Sequence, residues 1–453
     1  MTPPPPLRDY QQKALDFLEN GGSYLALEQG TGKSRIMIEF AKRKNARRIL
    51  VFCPASVRLA WESEIPKWWR DAPSIVLVNK PQDLQRREGF FVISYDRMSR
   101  GTTFVDMIAA SVSAFGPYAL AFCDEAHALK NRGAARTKAV YDVVSKSVVR
   151  MIVASGTPAP NHAGELYTAF RALAPGKIRN RDQKVMNQIQ FEDAFCKVDT
   201  KWFGGRAIRV IVGSQNIPQL RERLDGFLLR MTKKQVLPEL PPLEFITVPI
   251  EPTLKGVDAR DIERFDDLLD PNMDEDDLLT ALRSKEEHIA RLRSALGLAK
   301  VESAIEYLID FLDDLDPRAK IVVWGDHHIV IDKLFERLGD FRPAKIDGRT
   351  SPKDRKVAVE TFLNDNRCRV FIGNILAAGT GLTLIGPNCE CSDCFFVESS
   401  YTPGDNLQAA SRIHRLGQQD GVLARVFTAR RTIDDRIQSI IARKTNELAE
   451  IFG

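Results

Sequence analysis

Two parallel α/β lobes in tandem, carrying helical insertions, are the fold class that this 453-residue sequence predicts. Three observations predict it. Short apolar runs rich in β-branched and aromatic residues alternate with longer helix-like segments, the pattern of strands joined by crossover helices. The runs form two series, one in each half of the chain. Nearly every run ends in a polar or Gly/Pro-rich junction, and open parallel sheets place their binding residues at the carboxyl ends of strands.

The first series is YLALEQ (24–29), RILVFC (48–53), SIVLVN (74–79), FFVISY (90–95), YALAFCD (118–124) and RMIVAS (150–155). Its junctions are QGTGKS, PASV, DEAH and GTPAPN. The second is KIVVWG (320–325), PAKIDG (343–348), RVFIGN (369–374), CFFVES (394–399) and ARVFTA (424–429). A stretch with few strand signals, about 177–236, reads as a helical insertion of the first lobe. Clustered prolines in PELPP (238–242) mark a boundary, since they resist helix and sheet interiors alike. The lobes are therefore expected at 1–236 and 237–453, with an acidic helical insertion at about 251–315 in the second.

Composition narrows the class. A chain that is 44% hydrophobic and 28% charged is ordinary for globular proteins, which excludes wholesale disorder and fibrous architectures. Met107–Cys123, the longest apolar stretch, is broken by Ser111, Ser113 and Gly116-Pro117, so it reads as helix, turn and strand rather than a bilayer span. MTPPPPLRDY carries no secretory pattern. Seven scattered cysteines suit a reducing compartment. A soluble, cytoplasmic protein of a bacterium or a phage-infected cell is the expectation. The net charge of +5 conceals an asymmetry: Asp258–Asp277 holds ten acids and two bases, leaving +13 on the rest. The acidic run reads as a solvated face or loop, and the remainder is basic enough to hold nucleic acid.

The chemistry-bearing motifs follow from the junctions. EQGTGKS (28–34) lies between a strand and an amphipathic segment. Gly30 and Gly32 let backbone N–H groups, with Thr31 between them, approach phosphate oxygens at a helix N-terminus. Lys33 reaches the β/γ-phosphates and the Ser34 hydroxyl serves Mg²⁺. The strict phosphate-loop pattern needs glycine at 27, where Leu27 stands; a plain glycine-containing strand–helix turn is the competing reading. DEAH (124–127) ends an apolar strand. Asp124 is placed to hold Mg²⁺, Glu125 to orient and deprotonate an attacking water, and His127 to couple the site to its neighbours. A helix N-cap is the competing reading of the same acids. QAASRIHRLGQ (408–418) presents Gln408, Arg412 and Arg415 at helical spacing, guanidinium groups suited to a phosphoryl group, or an ordinary basic face. AAGTGLTL (377–384) adds a second glycine loop, including Gly381, for nucleotide or phosphate.

Taken together these segments resemble the helicase superfamily-two motors, and among them the Swi/Snf-type ATPases. The resemblance runs in order through LRDYQQKAL (7–15), EQGTGKS, ILVFCPASVRLAWESEIPKW (49–68), FVISYDRM (91–98), DEAHALKN (124–131), ASGTPAPN (154–161), RMTKKQVLPELPP (230–242), KIVVWGDH (320–327), KIDGRTSPKDR (345–355), AAGTGLTL and QAASRIHRLGQ. It implies two RecA-like lobes, ATP and Mg²⁺. Tyr10 and Gln11 are implied on the adenine side, Lys33 and Ser34 on phosphate and metal, Asp124 and Glu125 in hydrolysis, Gly381 and Gln408 at the nucleotide, and Arg412 and Arg415 as arginine fingers. Double-stranded DNA, gripped by its backbone, is the implied partner, with Pro54, Ser56, Val57, Ser94, Tyr95, Lys130, Asn131, Gly379 and Thr380 facing it. Each of these is also a short polar junction that an ordinary surface loop would supply. TIDDRIQSIIARKTNELAEIF (432–452) resembles the closing brace helix of the family. A short acidic region between the lobes, and no segment resembling a histone reader, place the chain nearest the annealing-helicase and bacterial or phage branches.

An ATP-dependent translocase on double-stranded DNA, monomeric and remodelling DNA structures or protein–DNA complexes, is therefore the leading expectation. A strand-separating helicase or RNA-dependent ATPase, and a non-catalytic DNA-binding scaffold, are the alternatives. Three weaker signals stand beside it. Cys389, Cys391 and Cys394 could seed a zinc site if a fourth ligand such as Cys368 closed it, with a loop of free thiols the preferred reading. KWFGGR (201–206) suits base stacking or a β-hairpin. Arg349 departs from the small residue of many relatives, as an added phosphate contact or with no role. Trp61, Trp68 and Trp69 read as core.

Overall fold

The computed structural model describes residues 5–203, 206–253, 287–378, 381–386 and 389–429, together with Asp434, Gln438 and Ile441. The chain divides into two compact units between Leu237 and Pro238, within the segment where Pro238, Pro241 and Pro242 cluster. Each is a parallel sheet covered by helices, the RecA-like arrangement. Among the described residues no helix is long and apolar enough to cross a membrane.

The first lobe is built on seven strands: β1 (Tyr24–Leu27), β2 (Arg48–Cys53), β3 (Ile75–Leu77), β4 (Gly89–Ser94), β5 (Tyr118–Asp124), β6 (Val148–Ala154) and β9 (Leu228–Met231). Their order is β3-β4-β2-β5-β6-β1-β9, every pair parallel. Every residue of β1, β2 and β4 is buried, as expected where helices cover both faces of a parallel sheet. That burial explains why these strands read as unbroken apolar runs rather than alternating ones.

The region 177–236 corrects the expectation of a helical insertion. It holds the helices Gln188–Phe195 and Ile217–Leu224. It also holds an antiparallel hairpin, β7 (Cys196–Phe203) with β8 (Arg206–Ser214), and the sheet strand β9. Polar residues interrupt β7 and β8, as a two-stranded ribbon outside the main sheet tolerates, so their apolar signal is weak. The four residues of β9 gain their stability from pairing with β1, register Ala26↔Arg230, which no local pattern encodes.

The second lobe has strands β10 (Leu243–Ile250), β11 (Ile321–Gly325), β12 (Ala344–Ile346), β13 (Val370–Asn374), β14 (Asp393–Phe396) and β15 (Val422–Ala429). They run parallel in the order β10-β15-β14-β11-β13-β12. Alternate residues of β11 feed two cores. Val322 and Trp324 join one with Phe371 and Phe396, while Ile321 and Val323 join another with Val301, Ile305, Leu308 and Leu312. Those last four belong to the helix Glu287–Asp314. This helix, expected within an insertion, is instead part of the core, since its apolar residues fall at helical spacing against the sheet. The acidic run at 258–277 and most of the expected brace segment at 432–453 lie outside the described residues. Asp434, Gln438 and Ile441 are helical, and the buried Asp434 carboxylate accepts a 2.6 Å hydrogen bond from Lys300 Nζ.

Candidate active site

The carboxyl end of β1 opens into the loop Glu28–Gly32, and the helix Lys33–Arg43 follows at once. Gly30 and Gly32 both take positive φ, +80° and +82°, a region that favours glycine. At Gly32 a Cβ would also lie 2.7 Å from Gln11 Nε2, so the Gln11 amide would have to shift. Leu27 is the last, fully buried residue of β1. The missing glycine of the strict motif therefore falls at a core position of the sheet.

The residues implied on the adenine side gather beside this loop. Tyr10 Oη donates to the Thr31 carbonyl at 2.9 Å, and Gln11 Nε2 reaches the same oxygen at 3.5 Å. Thr31 is buried and its hydroxyl donates to the Glu28 carbonyl at 2.8 Å. Lys33 is 6% exposed, and its ammonium donates to the carbonyls of Leu27 (2.9 Å) and Glu28 (3.2 Å). Ser34, the next helical residue, is half-buried.

Asp124 ends β5 and Glu125 follows in the left-handed region, φ +51°, an uncommon conformation for a non-glycine residue and one that clusters at functional sites. Asp124 Oδ2 accepts from Trp61 Nε1 at 3.0 Å and Oδ1 from the Glu125 amide at 3.0 Å. Gln29 Nε2 donates to Glu125 Oε1 at 2.8 Å, and His127 Nδ1 lies 3.4 Å from Oε2 and 3.1 Å from Ser155 Oγ. Both carboxyls are buried. Burial and the neighbouring Glu125 charge push Asp124 up from the ordinary carboxylate range. Burial acts the same way on Glu125, but His127, Lys33 and Gln29 outweigh it and hold that group down. Glu125 is therefore the member of the pair that ionises first. A carboxylate and a hydroxyl are oxygen donors of the kind a hard divalent cation takes, so the chemistry of Ser34 and Asp124 fits the Mg²⁺ expected of them.

In the second lobe Gln408 lies on the helix Pro403–Ala410, but Arg412 and Arg415 follow its end. The expectation of one continuous helical face is thus corrected, the chain turning after Ala410. Arg412 is 1% exposed, with Nε donating to the Gln408 carbonyl (3.0 Å) and one terminal nitrogen to the Leu382 carbonyl (3.1 Å). Arg415 is half-exposed, donating to the Ser411 carbonyl at 3.1 Å and to the Thr383 hydroxyl. Gly381 takes φ +74° and is exposed. Gln408 is buried, and its amide nitrogen has no hydrogen-bond partner among the described residues.

The residues expected to face DNA divide in two. Pro54 and Ser56 are half-buried and Asn131 is exposed, its carbonyl oxygen accepting from the Gly133 amide at 2.8 Å. Lys130 is half-exposed and paired with Glu165 at 2.8 Å. Ser94, Tyr95 and Val57, by contrast, are buried. Tyr95 Oη donates to the Asp124 carbonyl at 2.8 Å, so this tyrosine supports the carboxylate strand rather than presenting itself outward. A polar junction at a strand end was the signal for both groups, and it does not distinguish the inward side chains from the outward ones. Gly379 and Thr380 lie outside the described residues.

The weaker signals resolve as follows. Arg349 donates to both Asp332 oxygens, at 2.9 and 2.7 Å, and to Asp347, so its charge is neutralised within the lobe. Trp61 and Trp69 are buried, but Trp68 is half-buried under the Arg35 guanidinium, 4.2 Å from its ring centroid. All seven cysteines are buried free thiols, and no cluster of three or more His, Cys, Asp or Glu side chains placed to hold a metal ion occurs among the described residues. Lys201–Phe203 and Arg206 close the hairpin, paired Phe203↔Arg206.

Several long-range contacts around the candidate site have no local sequence signal. Gln29 and Glu125 meet across 96 residues, and Trp61 and Asp124 across 63. Arg230 donates to the Ala26 carbonyl at 3.1 Å, the Gly156 carbonyl at 2.9 Å and Glu28 Oε1 at 3.3 Å.

Comparison with known proteins finds the following relatives. A family model described as the SNF2-related domain matches residues 10–255, and one described as the helicase conserved C-terminal domain matches 301–417. A SWI/SNF-related matrix-associated actin-dependent regulator of chromatin subfamily A-like protein 1 homolog of Caenorhabditis elegans is 29% identical over 459 residues, covering 98% of this chain and 61% of that protein. The Mus musculus DNA annealing helicase and endonuclease ZRANB3 is 28% identical, covering 97% of this chain and 40% of its own length. The chain thus spans less than two thirds of these relatives. A Sulfolobus solfataricus SWI2/SNF2 ATPase core solved in complex with dsDNA aligns over 100% of this chain and 94% of its own, with a TM-score of 0.43 and 19% identity. The chain belongs to the SNF2-related family, and carries that family's domain followed by the helicase C-terminal domain.

Proposed function

We propose that this chain is an ATP-driven motor that translocates on double-stranded DNA and remodels DNA structures or protein–DNA complexes. One observation carries the reading: the phosphate-loop lysine and the Asp124–Glu125 pair share a buried site, linked by the 2.8 Å bond from Gln29 to Glu125. Phosphate chemistry on Lys33 and base chemistry on Glu125 are complementary only together.

In this reading Glu125, ionised and held by Gln29 and His127, takes the proton of the attacking water. Its left-handed backbone turns the carboxylate out of the strand direction that Asp124 continues. Ser34 and Asp124 would hold Mg²⁺, which would supply charge neutralisation at the phosphoryl oxygens. Tyr10 and Gln11 orient the base. Arg412, buried against the Leu382 carbonyl, and Arg415, half-exposed beside the Thr383 hydroxyl, are both assigned to stabilise the transferring group. The basic remainder of the chain and the exposed Asn131 junction support backbone contact with DNA, which positions without specifying sequence.

Lys33→Ala and Glu125→Gln should each abolish DNA-stimulated ATP hydrolysis while leaving duplex binding within about twofold. Arg415→Ala should lower turnover by about a thousandfold, the size of other phosphoryl-transfer fingers. The decisive measurement is ATP turnover with duplex DNA, forked DNA, single-stranded DNA and RNA. Preferential stimulation by RNA, or no turnover with any of them, would overturn the reading.

A further inference from the structure

Glu28 opens EQGTGKS and Arg230 opens RMTKKQVLPELPP, yet neither side chain has been given a role above. Glu28 has two faces. Its carbonyl accepts from Thr31 Oγ1 at 2.8 Å and Lys33 Nζ at 3.2 Å, within the phosphate loop. Its carboxylate turns the other way, accepting from Arg230 at 3.3 Å and from the Lys233 amide at 2.8 Å. The Glu28 amide completes the link by donating to the Met231 carbonyl at 3.2 Å.

Arg230 is equally shared. Its guanidinium holds the end of β1 at Ala26 and the GTP junction at Gly156. A Cβ on Gly156 would come within 3.2 Å of Gln29 Nε2, the amide that orients Glu125. Arg230 also belongs to the last strand before the chain leaves the first lobe, seven residues ahead of Leu237. One residue pair therefore touches the phosphate loop, the support of the water-activating carboxylate and the segment leading to the second lobe.

We propose that Glu28 and Arg230 are positioning residues that couple nucleotide occupancy of the phosphate loop to the connecting segment 228–237. A phosphate on Lys33 competes with the Leu27 and Glu28 carbonyls for the ammonium protons. Loss of the bond to the Glu28 carbonyl frees the residue whose carboxylate fixes Arg230 and the start of the Lys233–Val236 helix. Coupling of this kind needs a contiguous element that both ends can bias, and β9 with its helical turn is that element. The inference rests on the reading of the chain as a DNA-stimulated ATPase.

The test uses the full chain with linear duplex DNA, measuring ATP turnover with and without DNA and triplex-strand displacement per ATP hydrolysed. Arg230→Gln should retain KM for ATP and DNA-free turnover within about twofold. It should lose about tenfold in DNA-stimulated turnover and in displacement per ATP, the size of one hydrogen bond to a charged group. Arg230→Lys, which keeps the charge and one donor, should recover part of both. Glu28→Gln combined with Arg230→Gln should be no worse than the more impaired single variant, because residues acting as one unit are non-additive. Wild-type stimulation and displacement in Arg230→Gln would overturn the coupling. So would parallel loss of KM, DNA-free turnover and melting temperature, with no rescue by lysine, which marks a structural role only. A wild-type chain that hydrolyses no ATP on DNA would overturn the underlying reading instead.

Discussion

Trp61 shows how much a single residue of this site does through another. Its indole is 1% exposed and packs near-parallel to Phe122, while Nε1 donates to Asp124 Oδ2. Burial alone disfavours the Asp124 carboxylate, so each donor it receives keeps the ionised form accessible. Trp61→Phe keeps an aromatic ring and deletes that donor. Removing a hydrogen bond to a buried charged group costs about 1.5–3 kcal/mol, and the smaller ring adds a void. We expect a loss of about 2–4 kcal/mol in urea denaturation and at least about tenfold slower ATP turnover. Unchanged turnover in a folded variant would show that Asp124 needs no support from this side chain.

Among the elements, the helix Glu287–Asp314, packed in the core of the second lobe, also carries a buried charge pair. Lys300 is 3% and Asp434 6% exposed; Nζ lies 2.6 Å from Oδ2 and 3.4 Å from the Phe427 carbonyl. Taking two charges out of water is costly, so such a pair contributes little net stability but is expensive to halve. Lys300→Met should destabilise the second lobe by about 3–5 kcal/mol, because Asp434 is left buried without its counter-charge. Lys300→Met with Asp434→Leu should recover most of that loss. A single variant as stable as the double would show that Asp434 finds water when Lys300 is gone. The edge strand β9 teaches a related lesson: four residues with little propensity of their own are held by β1 and by the Arg230 bonds to Ala26 and Gly156.

For the molecule as a whole, two units with separate cores should unfold in two transitions, as independently cored domains do. The second-lobe transition should depend on pH through His327 and Glu398. Glu398 is buried and accepts from His327 Nδ1 at 2.6 Å and from the Asp326 and His327 amides at 2.8 and 2.9 Å. Burial opposes ionisation of both groups, but their mutual bond wins, raising His327 above 6.5 and lowering Glu398 below 4.5. The raised histidine stabilises fully below its unfolded value, and that contribution fades as pH rises through the folded one. The lowered carboxylate stabilises above its unfolded value and fades as pH falls through the folded one. Second-lobe stability from this pair is therefore greatest between about pH 4.5 and 6.5. His327→Asn should lower that transition by a few degrees near pH 6 and flatten its alkaline decline; an identical pH profile in the variant would refute the assignment.

The local chemistry of this chain is written in adjacent residues. Apolar runs ending in QGTGKS and DEAH specify buried parallel strands with polar tips, because burial on both sheet faces removes alternation and strand ends open into loops. Lys33, Glu125 and their neighbours could be named from spacing alone for that reason. Their tertiary partners could not. Gln29 reaches Glu125, Trp61 reaches Asp124 and Arg230 reaches Glu28 across 96, 63 and 202 residues. Nor does sequence distinguish Tyr95, turned inward onto the Asp124 carbonyl, from Asn131, left outside. Periodicity reports which residues share a face of one element; only packing of the elements decides which side chains meet, and through the partners it brings to Glu125, which carboxyl of the pair is held down.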